Sequence, residues 1–238
     1  MSIEFLKQTG DMSIKLVVFD MAGTTVEDNN SVAAVLQYAM KSFGYDANMD
    51  EVNKVMGYPK PVAIKALLEI YGENNEAADD AKVTAIHDVF VGKMMEHYKQ
   101  SPIIREKEGV RDTFIKLKEQ NIKIGIDTGF SRDIADAIFD RLGWKEEGLF
   151  DVSITSDEVA NGRPYPDMIF KAMQMTDVAD VASVAKVGDT ASDMQQGAAA
   201  GCKYVIGVTT GSYTAEELQT EPHTHLINHL YEVVDIVS

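Results

Sequence analysis

The stretch SVAKVGDTASDMQQGAAAGCKYVIGV, Ser183 to Val208, reads as a strand, a helix and a second strand. Its apolar runs, Ser183 to Asp189 and Lys203 to Val208, flank a helical pattern over Asp193 to Ala200. Several runs of this kind lack polar alternation, which suits strands covered on both faces of a parallel sheet. Working outward, IKLVVFD (Ile14 to Asp20), IKIGID (Ile122 to Asp127) and DVSIT (Asp151 to Thr155) are three more such runs. Helical patterns at Thr113 to Gln120, Arg132 to Leu142 and Asp167 to Met175 fill the gaps between the later strands. Alternating strands and helices predict an α/β fold, a doubly wound and mainly parallel sheet.

The interval after the first strand breaks this rhythm. Ser31 to Gln100 carries only helix-like patterning, in VAAVLQYAMKSFG, in VAIKALLEIYG and in a longer run from Glu76 to Tyr98. An all-helical insert over residues 31–100 follows, with residues 1–30 and 101–238 forming the core. Gly44 and Gly72 read as helix stops, and Ser101 with Pro102 as the return to the core. Thr214 to Thr224 reads as a polar loop or short helix.

Bulk composition limits the function. At 238 residues, 45% hydrophobic and 25% charged, the chain has the make-up of a soluble globular protein of two unequal domains. It contains no apolar run of membrane-spanning length. The start, MSIEFLKQTGDMS, lacks the features of a secretory leader, and Cys202 has no second cysteine to pair with, so a cytoplasmic location is expected. A net charge of −16 without a cluster of Lys and Arg opposes nucleic acid and anionic membranes as partners. An anionic ligand would need local cations.

Ligands of open parallel sheets collect beyond the carboxyl ends of the strands. Asp20, Asp127 with Thr128, and Asp189 all fall at such ends. Asp20 opens Asp-Met-Ala-Gly-Thr-Thr, and Asp189 is followed four residues later by Asp193. Asp189 and Asp193 read either as solvated caps on one helix face or, with Asp20, as an oxygen-rich metal site. Arg163, in Asn-Gly-Arg-Pro-Tyr-Pro-Asp, is either a surface charge or a cation held in a stiff turn.

Taken in order, Asp20 with Thr24, Thr128, Arg163, and Asp189 with Asp193 resemble the four motifs of the haloacid dehalogenase superfamily of hydrolases. The match covers nearly the whole chain, and the helical insert resembles that superfamily's cap domain on a Rossmann-type core. The resemblance implies that Asp20 attacks phosphorus to give a phosphoaspartyl intermediate. It implies Mg²⁺ held by Asp20, the Ala22 carbonyl and Asp189, with Asp193 behind these ligands or acting through water. Thr128 and Arg163 would bind the phosphoryl group, with Thr24, Gly129 and Met56 contacting substrate. A homodimer through the cap is implied by the resemblance alone.

Ala22 stands where most phosphatases of this superfamily carry a second aspartate as acid and base. Asp-x-Ala-Gly-Thr together with the arginine resembles the phosphonoacetaldehyde hydrolase branch, which cleaves a carbon–phosphorus bond. Met56-Gly57-Tyr58-Pro59-Lys60 resembles the segment carrying that branch's Schiff-base lysine, making Lys60 the candidate. Pro61 would open the following helix, whose positive end favours a neutral amine. Ala63, Phe130 and Asn30 depart from the branch, where a histidine, an aromatic hydroxyl and a small thiol stand. The implied substrate is a small phosphonate or phosphate ester. A phosphomonoesterase without Schiff-base chemistry is the alternative, and a non-catalytic binder of phosphorylated metabolites a further one. The histidines and Trp144 read as structural.

Overall fold

The computed structural model describes residues 13–72, 79–101 and 104–238. The amino-terminal dozen residues, the start of the Glu76 helical run and Pro102 lie outside these. The strands are β1 (Leu16–Asp20), β2 (Lys123–Thr128), β3 (Val152–Thr155), β4 (Val184–Gly188), β5 (Tyr204–Val208) and β6 (His225–Ile227). They form one sheet in the order β3-β2-β1-β4-β5-β6, with every neighbouring pair parallel. The five strands expected from sequence are all present, each one or two residues shorter at its start. β6 was not anticipated, because three residues at a sheet edge carry too little periodicity to read.

Between β1 and β2 the chain forms α1 (Ser31–Ser42), α2 (Met49–Lys54), α3 (Lys60–Tyr71) and α4 (Asp80–Gln100). The remaining helices are α5 (Val110–Glu119), α6 (Arg132–Leu142), α7 (Asp167–Met175), α8 (Ala191–Ala200), α9 (Ala215–Leu218) and α10 (Glu232–Val237). Gly44 follows α1 at φ +93°, and Gly72 ends α3. α9 lies inside the polar stretch read as a loop or short helix.

Side chains of a strand alternate between faces, and here both faces are covered. Val17 and Phe19 join the cluster that includes Phe114, Ile138 and Phe139 of α5 and α6. Leu16 and Val18 pack instead with Met168, Ile169 and Ala172 of α7. That double coverage explains why the strands read as unbroken apolar runs. Trp144 packs as expected, 5.6 Å from the Phe114 ring, and its indole N–H donates to Glu106 Oε2 at 2.9 Å. Each fully buried residue of this size contributes roughly 1.5–3 kcal/mol.

α4 packs along α1 and α3 and also against α6, so the helical segment shares a continuous apolar cluster with the sheet. No helix among the described residues is long and apolar enough to cross a membrane.

Candidate active site

Chain order reverses at β1 and β4, the neighbours from which the two wings of the sheet grow. Ligands bind beyond the carboxyl ends of strands at such a reversal. Asp20 is the last residue of β1, Thr128 the last of β2, and Asp189 the first after β4. Asp20, Asp189 and Asp193 each bring a carboxylate oxygen within 4.8 Å of the others, and all three are buried.

The alternative of two solvated acids on one helix face is corrected here. Asp189 sits in the turn ahead of α8, and Asp193 in its first turn, where Oδ2 accepts from the Thr190 hydroxyl at 2.5 Å and the Thr190 N–H at 3.2 Å. Asp189 accepts from the Thr24 hydroxyl at 2.8 Å through Oδ1 and from Ser212 N–H at 2.6 Å through Oδ2. Backbone wraps this carboxylate closely. A Cβ at Gly23, which holds φ +90°, would lie 2.2 Å from Asp189 Oδ2, and so would one at Gly211.

Arg163 is only 2% exposed and is no surface charge. Its Nη2 pairs with Asp20 Oδ1 at 2.6 Å and Asp127 Oδ1 at 2.7 Å, while Nη1 pairs with Asp193 Oδ1 at 2.9 Å. Lys186, fully buried in β4, reaches Asp193 Oδ1 at 3.0 Å and also contacts Asp127 Oδ1. Asp127 and Lys186 thus complete a charge network that the motifs did not assign. The available signals were an acid beside Thr128 and a lysine amid the apolar run of β4.

Burial acts to raise Asp20, Asp189 and Asp193, and their charged neighbours decide the outcome. Desolvation, with Asp193 and Asp189 nearby, pushes Asp20 up to about 8 in spite of Arg163. Burial and the neighbouring Asp193 likewise raise Asp189, whereas Arg163 and Lys186 outweigh burial at Asp193 and hold it below the usual range. Asp20 and Asp189 therefore hold their protons more tightly than ordinary carboxyls, and ionising both would leave Asp20, Asp127, Asp189 and Asp193 with only Arg163 and Lys186 against them. An all-oxygen cluster with surplus negative charge fits a hard divalent cation.

Facing this floor, Met56, Gly57 and Lys60 from the helical segment line a small cavity with Asp20, Ala22 and Thr128. Gly129, Phe130, Arg163 and Asp28 also line it, whereas the Thr24 hydroxyl is committed to Asp189 and Thr24 is not on the cavity wall. The Thr128 hydroxyl accepts from Phe130 N–H at 3.2 Å. The roof is seated without slack: a Cβ at Gly162 would lie 2.3 Å from Pro59 Cγ, and one at Gly57 would lie 2.2 Å from Ser192 Oγ.

Lys60 is 4% exposed and is itself the first residue of α3, one position earlier than the helix start expected at Pro61. Its Nζ lies 5.8 Å from the ring centroids of both Phe90 and Phe130 and donates to the Tyr58 carbonyl at 3.4 Å. No carboxylate of a described residue lies within ion-pair distance. Desolvation, aided by Arg163, lowers the ammonium to about 8 against the pull of Asp20 and Asp28.

A parallel sheet carrying a buried aspartate at its reversal, two further acids after β4 and a buried arginine describes a hydrolase of α/β architecture. The chain belongs to the haloacid dehalogenase-like hydrolase family, which it matches over residues 17–207. It is 33% identical over 229 residues to a phosphonoacetaldehyde hydrolase of Bacillus cereus, spanning 88% of this chain and 82% of that one. Among solved structures it resembles a phosphonoacetaldehyde hydrolase-like protein from Oleispira antarctica, with TM-score 0.79, 20% identity and coverage of 94% and 92% of the two chains. A protein described as a predicted phosphoglycolate phosphatase from Haemophilus somnus gives TM-score 0.75 at 20% identity, covering 96% of this chain and 100% of that one. At that identity both likenesses speak for the fold alone.

Proposed function

We propose that the protein is a magnesium-dependent hydrolase of a small phosphonate bearing an aldehyde, working through Asp20 and a Schiff base on Lys60. The observation that carries this reading is Lys60 itself. A buried lysine with its ammonium lowered to about 8 lines the same cavity as Asp20 and Arg163, in a chain one-third identical to a phosphonoacetaldehyde hydrolase. A lysine lacking a carboxylate partner and enclosed by Phe90 and Phe130 is suited to reach a carbonyl as neutral amine.

In this reading the Lys60 amine condenses with the aldehyde to give an iminium. The Asp20 carboxylate then attacks phosphorus, and the electron pair of the carbon–phosphorus bond moves into the carbon framework as an enamine. No acid at residue 22 is required, because the leaving carbon departs without being protonated first. Arg163 holds Asp20 and the phosphoryl group together as charge moves between them, and the Thr128 hydroxyl donates to a phosphoryl oxygen. Asp20, the Ala22 carbonyl and Asp189, with Asp193 behind them, would hold Mg²⁺, which would supply charge neutralisation at the phosphoryl oxygens. Helices α1–α4 serve as the cap that excludes water.

A second reading, a phosphomonoesterase that does not use Lys60, draws support from Ala63 and Phe130, which offer Lys60 no polar partner. Phosphate release from phosphonoacetaldehyde and from phosphoglycolate, with and without EDTA, separates the two. Borohydride added during turnover of the phosphonate is expected to fix a two-carbon adduct on Lys60, seen by mass spectrometry. Turnover with no adduct, and a Lys60→Ala variant that keeps its activity, would remove the Schiff base.

A further inference from the structure

Asp28 is a carboxyl group that none of the motifs accounts for. It lies in the connection from β1 to α1 and lines the cavity together with Asp20 and Lys60. One oxygen is occupied: Oδ1 accepts from Ser31 N–H at 2.7 Å and Val32 N–H at 3.2 Å, capping α1 in place of Asn30, whose side chain makes no cap bond. The other oxygen, Oδ2, accepts no hydrogen bond from a described residue. The carboxyl is thus fixed at one end and available at the other.

The side chains that act on it come from two helices, α3 and α4. Lys60 on α3 and His97 on α4 act to lower its carboxyl, and the buried Tyr98 phenol on α4 is held above its ordinary range by burial and by Asp28 and Asp20. Three positions around Lys60 carry no proton-moving group: Ala22 and Phe130 line the cavity, and Ala63 is fully buried one turn beyond Lys60, while Asp20 and the hydroxyl-bearing Thr128, Thr190 and Ser212 also line the cavity. Burial raises the Asp28 carboxyl and lowers the Lys60 ammonium, so the two groups approach one another in proton affinity.

We propose that Asp28 is the proton relay of this site, exchanging protons with Lys60 and with the oxygen of an aldehyde substrate during Schiff-base formation. The proposal rests on the lysine reading of the preceding section. Overall, the Lys60 ammonium and the aldehyde yield an iminium and water, so no proton is gained or lost. Asp28 takes one proton from the ammonium, freeing the nitrogen pair that forms the carbon–nitrogen bond. A second nitrogen proton passes to the carbonyl oxygen as its π bond opens. Asp28 then returns the first proton to that hydroxyl, which leaves as water while the carbon–nitrogen double bond closes.

The test uses the full chain with Mg²⁺ and phosphonoacetaldehyde, quenched by borohydride at successive times. Asp28→Asn keeps an acceptor oxygen for Ser31 and Val32, and a thermal melt reports whether it folds. Adduct formation on Lys60 is expected to slow by about 10²-fold or more, to lose its acidic pH limb, and to recover in part with Asp28→Glu or added formate. If wild type gives the adduct and Asp28→Asn gives it at the same rate and pH profile, the relay falls while the Schiff base stands. If wild type turns over with no adduct, the Schiff base falls and the relay with it.

Discussion

The floor and the roof of the cavity bury cations in opposite ways. On the floor, Arg163 and Lys186 are matched by Asp20, Asp127 and Asp193 at ion-pair distance, in a region with almost no solvent exposure. In the roof, Lys60 is equally buried but has aromatic rings and one long carbonyl contact for company. A charge surrounded by opposite charges is fixed in its ionised form; one surrounded by hydrocarbon tends to give up its proton. The floor suits the holding of an anion and a metal, and the roof suits nucleophilic nitrogen.

Breaking the floor has the largest expected effect. Lys186→Met fits the apolar strand but leaves Asp127 and Asp193 short of a cation, so the expected loss is about 3–5 kcal/mol in urea unfolding. Adding Asp127→Asn should return part of that loss by removing one of the stranded charges. A single variant as stable as wild type would mean that the network contributes no cohesion.

The same treatment of the roof reverses the sign. Lys60 has its ammonium lowered from 10.5 to about 8 by burial, so protonated Lys60 disfavours the folded state. Below pH 8 both folded and unfolded chains carry that proton and the penalty is full; between about pH 8 and 10.5 only the unfolded chain holds it; above that the penalty vanishes. Lys60→Met is therefore expected to stabilise the fold by about 1–3 kcal/mol at pH 7, with the gain shrinking towards pH 10. Urea titrations of both proteins at the two pH values measure the difference. A gain independent of pH would show that side-chain packing is responsible.

The contrast between floor and roof was only partly legible in sequence. Asp20, Thr128 and Asp189 could be read because strand ends punctuate apolar runs with polar residues, and spacing along a strand survives folding; Arg163, in a turn, and Asp193, inside α8, were equally readable as surface groups until the resemblance gave them roles. Lys186 was hidden because a lysine inside an apolar run reads as a break in pattern until its partner Asp127, on the far side of β1, is known. Asp28 gave no signal, since its place in the cavity depends on how α1 leaves the sheet. Thr24 was read as a substrate contact, yet its hydroxyl is turned to Asp189, a direction that no spacing encodes.

The smallest expected effect lies where the two regions meet. Gly57 holds φ +82°, a left-handed conformation that costs a residue with a side chain about 1–2 kcal/mol. A Cβ there would also stand 2.2 Å from Ser192 Oγ and 2.4 Å from Thr190 Oγ1, both on the floor. Gly57→Ala must then strain the roof loop or lift it, and lifting moves Met56 and Lys60 away from Asp20. The expected result is a KM raised roughly tenfold, equivalent to about 1.4 kcal/mol of binding, with little change in kcat. Ser192→Ala added to this variant should relieve the closest contact and lower KM again while leaving the backbone strain in place. If the double variant binds no better than the single one, strain within the loop governs closure, and floor and roof are coupled through the backbone and not through these hydroxyls.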